Sequence, residues 1–152
     1  MSKRIKRKEF EKIFATINAG VKNIWVIHRV KELSSEIIDI ALRLSALDFI
    51  NYVRITDEIL AASNELKGLR IKEPVTTMNH PTAIGIEILY YLNYKTINFN
   101  EINSPVKGNG SKMVSAILTD LPNDWKVAVM MDWSDGFWDK MKEKHKDIEW
   151  LM

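Results

Sequence analysis

Along residues 5–17 the apolar positions Ile5, Phe10, Ile13, Phe14 and Ile17 share one side of a helical wheel while lysines cover the other, which predicts an amphipathic helix. Asn18-Ala19-Gly20 stops it. The run NIWVIHRV is short and β-branched, and predicts a strand over 22–30. Residues 34–53 return to helical spacing: Ser34 or Ser35 caps, Glu36 or Asp39 suits the first turns, and Ile37, Ile38, Ala41, Leu42, Leu44 and Phe49 form a broad apolar surface. Asp39 and Arg43, four apart, read as its wet face. The stretch TDEILAASNEL predicts a second helix over 56–66, closed by Lys67-Gly68.

Beyond it the pattern turns to strands. LRIKE predicts a short one over 69–73, and 74–81 reads as a polar connection. AIGIEILYYLNY carries too little charge for a surface helix and predicts a strand over 83–94, with Gly85 allowing a bend or a close backbone approach. Over 96–102, Ile97 and Phe99 alternate with Asn98 and Asn100, a half-exposed strand whose polar side could line a cleft. A helix in GNGSKMVSAILTDL, a strand in WKVAVMMDW, a helix in DGFWDKMKEKH and a strand in IEWLM complete the order. The expectation is one α/β domain, a mixed sheet flanked by helices over 23–152, with residues 1–22 as a basic amphipathic helix attached to it.

Composition agrees with a folded chain of 152 residues, 46% hydrophobic and 28% charged. Charge changes the picture more, because it is uneven. Lys3, Arg4, Lys6, Arg7, Lys8, Lys12 and Lys22 against Glu9 and Glu11 give +5 in residues 1–22, leaving −3 for the rest of a chain whose formal charge is +2. An acidic protein or a nucleic acid is therefore an expected partner for Lys3, Arg4, Lys6, Arg7 and Lys8. The apolar face of the same helix calls for docking on the domain or on a second subunit, so a homodimer is a further expectation. No cysteine is present, which excludes disulfides, thiol nucleophiles and thiolate ligands. No apolar run reaches signal-core or membrane-span length, and a cytoplasmic protein is expected.

Candidate chemistry gathers at residues 104–122, SPVKGNGSKMVSAILTDLP. A helix start exposes amide hydrogens without acceptors; Gly108 and Gly110 keep side chains away, Ser111 adds a hydroxyl, and Lys107 and Lys112 add charge. The spacing fits either an anion-binding turn or a plain tight turn. His28, His80 and His145 show no metal-ligand spacing, and no serine sits in a nucleophile elbow. Trp125, Met130, Met131 and Trp133 read as packing residues, Asp132 and Asp135 as a substrate orienter or a helix cap, and Lys140, Lys142, Lys144 and Lys146 as a solvated surface.

The stretch KGNGSKMVSAIL resembles the cofactor motif of the GNAT family, the Gcn5-related N-acetyltransferases, in which a Gly-x-Gly turn followed by Ser or Ala opens an apolar helix. The order of elements over 23–152 is similar too, and DGFWDKMKEK resembles the family's aromatic pair and lysine after the fifth strand. The resemblance implies acetyl-CoA as a substrate, its pyrophosphate held by Lys107, Gly108, Asn109, Gly110, Ser111 and Lys112. It implies a carbonyl-binding strand around Asn98 to Ile102, with Glu101 receiving the amine proton and Asn98 and Asn100 hydrogen-bonding the acceptor. In a regular strand Glu101 shares a face with Ile97 and Phe99, so that role requires a bulge. Glu87 is a second carboxylate, on the face opposite Ile86 and Ile88. Pro105 and Val106 stand where the family usually has Arg or Gln and often Gly, and Trp138 stands where it often has a proton-donating tyrosine. The family's seventh strand has no counterpart before Met152, through dimer exchange or loss. Two classes remain open: an acetyl-CoA-dependent N-acyltransferase, and a non-catalytic interaction protein on the same scaffold that binds a macromolecule through its basic helix.

Overall fold

The computed structural model describes residues 4–18, 23–27, 29–68, 70–130 and 136–151. The chain begins with β1 (Arg4–Lys6), α1 (Arg7–Asn18), β2 (Asn23–Val26), β3 (Glu32–Ser34) and α2 (Ser35–Ser45). A run of strands follows: β4 (Tyr52–Ile55), β5 (Ile59–Ser63), β6 (Leu66–Gly68), β7 (Ile71–Pro74), β8 (Gly85–Tyr91) and β9 (Thr96–Asn103). Helix α3 (Asn109–Leu118), β10 (Lys126–Val129), α4 (Phe137–Lys144) and β11 (Glu149–Trp150) close it. The architecture is α/β, with a mixed sheet flanked by helices.

Seven strands form one sheet in the order β11-β10-β9-β8-β5-β4-β2. Pairs β2/β4, β9/β10 and β10/β11 are parallel; β4/β5, β5/β8 and β8/β9 are antiparallel. The register puts Val53, Ile55, Leu60, Ile86, Ile88, Ile97 and Phe99 on one face, all of them buried. They share a core with Ile37, Ile40 and Leu44 of α2 and Met113, Val114 and Ile117 of α3. Burying such side chains contributes about 1.5–3 kcal/mol each, and this face holds the helices to the sheet.

The other face is more polar. Arg54, Ala61, Glu87, Asn98 and Glu101 lie on it by register, and the β6–β7 ribbon packs across part of it. Lys72 lies 5.4 Å from the Trp25 ring centroid, and Arg54 reaches Glu73 at 3.8 Å. Gly85 explains how closely the chain passes here: a Cβ on it would lie 2.3 Å from the Val75 carbonyl oxygen and 3.0 Å from that of Ala62.

Several expectations are corrected. Residues 59–63, read as part of a helix, are the central strand β5, whose Leu60, Ala61 and Ala62 are buried on both faces between β4 and β8. The α2 helix ends at Ser45, and Tyr52–Ile55 is a strand. Ser34 caps it, accepting from the Ile37 N–H at 3.3 Å. Asp39 is exposed, but Arg43 turns onto α3: its Nε donates to the Ala116 carbonyl at 2.6 Å and its Nη2 to that of Ile117 at 3.4 Å. Burial lowers the pKa of that guanidinium, against the raising effect of Asp39 and Asp120. At the N-terminus, α1 follows a strand, β1, that pairs with β3, and Phe10 and Phe14 are buried in the core of the same chain. Arg7 is half-withdrawn, its Nη1 donating to Glu11 Oε1 at 3.0 Å. Lys3, Lys22, His28, Met131, Asp132, Trp133 and Asp135 lie outside the described residues.

Gly85→Ala is expected to destabilise the fold by about 1–3 kcal/mol in urea denaturation, because two backbone carbonyls occupy the space of the new methyl. Gly68→Ala, whose Cβ would meet only the Ile71 side chain at 3.4 Å, should change stability little.

Candidate functional site

Residues 104–111 make a turn that leaves the start of α3 open. The Ser104 hydroxyl donates to the Val106 carbonyl at 2.6 Å, and the Asn109 N–H to the same carbonyl at 3.3 Å. Gly108 is the N-cap, with φ 93° and ψ −23°, and no side chain caps the turn. That φ is in the left-handed half of the map, which costs other residues free energy. The Lys112 N–H begins the helical ladder by donating to the Gly108 carbonyl at 3.2 Å. Gly110 and Ser111 are left as amides without a protein acceptor among the described residues.

These amides stand beside a groove of about 580 Å³ lined by Ile102, Lys107, Ser111, Phe137, Lys140 and Met141, among others. Its far wall is the start of α4, which also has a glycine N-cap, Gly136 at φ 95°, and no side-chain cap among the described residues. Two helix N-termini, each carrying partial positive charge, thus approach one space, and Lys107 and Lys140 add full charges. Gly110 has a packing role as well: a Cβ there would lie 3.3 Å from the Phe137 ring. Ser111 accepts a hydrogen bond from the Lys144 ammonium at 3.2 Å. Lys140 and Lys144, read from sequence as plain surface, therefore belong to the groove and its border. Asn109 is half-buried and Lys112 exposed at its margin.

On β9 the register shifts between Glu87 and Ile88: Glu87 opposes Glu101 while Ile88 opposes Phe99, so Asn100 is the extra residue of a bulge. The bulge turns Glu101 to the face of Asn98 and Glu87, away from Ile97 and Phe99. Glu101 Oε1 accepts from the Thr76 hydroxyl at 2.8 Å, and Asn100 Nδ2 donates to Glu87 Oε2 at 2.6 Å. Asn98, Asn100, Glu101 and Glu87 thus form a polar row separate from the α3 groove. Thr76, the partner of Glu101, and Glu87, the partner of Asn100, are contacts that sequence periodicity did not bring together.

Between the two lies the end of a strand pair. Among the described residues β9 and β10 run in register from Thr96/Lys126 to Phe99/Val129, with a further bond from the Met130 N–H to the Phe99 carbonyl at 3.0 Å. Past it, β9 continues to Asn103 paired only with β8 among the described residues.

Comparison with protein-family models, curated proteins and solved structures finds no match. Trp138 is buried, its ring 4.8 Å from Phe99 and 6.4 Å from Trp150, and has no hydroxyl to donate. Trp125 is buried, as a packing residue, whereas Met130 is exposed and does not pack. His80 Nδ1 accepts from the Thr82 and Ala83 amides at 3.2 and 2.9 Å, a turn-forming role. His145 Nε2 lies 3.3 Å from the Ser115 hydroxyl and ties the end of α4 to α3.

Gly108→Ala is expected to cost about 1–3 kcal/mol through backbone strain alone, and Gly108→Asn less, by thermal unfolding. Burial, and then the Lys144 charge, hold the pKa of His145 below 6.5. A depressed pKa means that the unfolded chain binds the proton more readily. The contribution of His145 is then complete above the unfolded value and is lost as pH falls through the lower folded one. Stability of the parent should drop more than that of His145→Gln between pH about 7.5 and about 5. Equal drops would contradict this.

Proposed function

We propose that the protein is a GNAT-like N-acyltransferase that takes acetyl-CoA as its acyl donor and an amine as acceptor. One observation carries the reading: the first turn of α3, uncapped and preceded by the left-handed Gly108, opens on a groove of about 580 Å³ rather than into the core. The β9–α3–β10 arrangement, two parallel strands joined by the helix that starts at the glycine turn, supports it further.

The residues present fit a diphosphate. The Gly110 and Ser111 amides are donors, Lys107 and Lys140 supply countercharge, and nothing lies within 4 Å of the space where a Gly108 side chain would be. Asn109 and Lys112 contribute at the margin, while Pro105 offers no N–H. The apolar wall of Ile102, Phe137 and Met141 suits the uncharged part of such a ligand. Acetyl-CoA would supply a thioester carbonyl as the acyl source. The unpaired edge of β9 past Phe99 is where backbone groups are free, among the described residues, to polarise it. Glu101, turned by the bulge, takes the proton of the attacking amine directly or through water, and Asn98 and Asn100 hold the acceptor. Trp138 has no acidic hydroxyl to protonate a departing thiolate, so solvent provides the proton.

Titration calorimetry with acetyl-CoA tests the reading. Saturable binding is expected, weakened about tenfold or more in Lys107→Ala/Lys140→Ala, a loss of about 1.4 kcal/mol. Absence of binding to folded protein, or binding indifferent to both lysines, would overturn it. With an accepted amine, Glu101→Gln should lower kcat about 10²-fold or more while leaving acetyl-CoA affinity unchanged.

A further inference from the structure

Exposed cations from two separate stretches meet on one side of the molecule. Arg4 and Lys6 are exposed on β1 and Lys8 in the first turn of α1. β1 pairs antiparallel with β3, and the Arg7 N–H donates to the Lys31 carbonyl at 2.9 Å, which brings the β2–β3 connection alongside. A cleft of about 370 Å³ lies there, with Arg4, Arg29 and Lys31 on its lining beside Glu32 and Asp57. Arg29 is paired with Asp57 at 3.2 Å. Among the described residues no carboxylate lies within ion-pair distance of Arg4, Lys6, Lys8 or Lys31.

The chemistry of this face discriminates among partners. A helix that lies on a membrane inserts its apolar side, but Phe10 and Phe14 are 2% and 8% exposed and already committed to the core. A protein interface is anchored by apolar or aromatic side chains at its centre. The large exposed hydrophobics of the described residues are Ile71, Met78, Tyr94, Val106, Met130 and Leu151, none of them in the stretches that carry these cations. A phosphate backbone needs neither: neutralising phosphates with Lys and Arg releases counterions and suffices for binding without sequence readout. We propose that the face formed by Arg4, Lys6, Lys8 and Lys31 docks on the phosphate backbone of a nucleic acid. This inference stands apart from the acyltransferase reading, which uses a different groove.

The test is fluorescence anisotropy of the full chain with a labelled mixed-sequence single-stranded RNA over a salt series. Four phosphate contacts give a slope of log K against log salt of about −3, so a fourfold rise in salt weakens binding about sixtyfold. Arg4→Ala/Lys6→Ala/Lys8→Ala changes only exposed side chains and should keep the parent's melting midpoint. Its slope should fall to about −1, with affinity at low salt reduced about tenfold or more. No association at low salt, a slope unchanged in the triple variant, or polyglutamate competing as well as unlabelled RNA would each overturn the proposal.

Discussion

The parallel pairing of β9 and β10, whose last rung among the described residues is the hydrogen bond from the Met130 N–H to the Phe99 carbonyl, places the glycine turn and α3 beside the bulged end of β9. Up to that rung the two strands share a parallel register, with Phe99 on the buried face against Trp138. Beyond it β9 is paired with β8 among the described residues, and a bulge enters at Asn100. The extra residue at Asn100 reverses the facing of Glu101 relative to a regular strand.

The position of α3 depends on contacts along its length. Arg43 of α2 donates to the carbonyls of Ala116 and Ile117, Met113, Val114 and Ile117 are fully buried, and the Ser111 and Ser115 hydroxyls meet Lys144 and His145 of α4. The helix is thus fixed along its length by packing and by cross-helix hydrogen bonds, while its first turn carries no side-chain cap. Orphan amides held rigidly are a preorganised donor set, since little reorganisation is needed to meet an anion. The same framework explains why Gly110 serves twice, as a helix-start residue and as the seat of the Phe137 ring.

Much of this was legible in the chain because local and long-range preferences agreed. The Ser34 cap, the apolar stripe of α2, the start of α3 at the glycine turn and the close approach at Gly85 all express local chemistry that the tertiary structure keeps. Leu60, Ala61 and Ala62 misled because alanine favours helices in isolation, whereas here its small side chain fits a strand buried on both sides. Arg43 misled because its partners are backbone carbonyls seventy residues away, which periodicity cannot see. The bulge was foreseeable only as the condition for Glu101 to face away from Ile97 and Phe99; the alternation of Asn98 to Asn103 contains no residue that marks it. Lys140 reads as surface in the sequence because its helix alone gives no sign of the groove that α3 completes.

The central claim is that the Gly110 and Ser111 amides receive an anionic ligand from the groove. Amide chemical shifts of isotopically labelled protein, followed as acetyl-CoA is added, report on those two N–H groups individually. The account requires Gly110 and Ser111 to be among the most displaced resonances, saturating together with their neighbours at Lys107 and Lys140. Unmoved signals there, or displacement confined to the β1–α1 region, would contradict it.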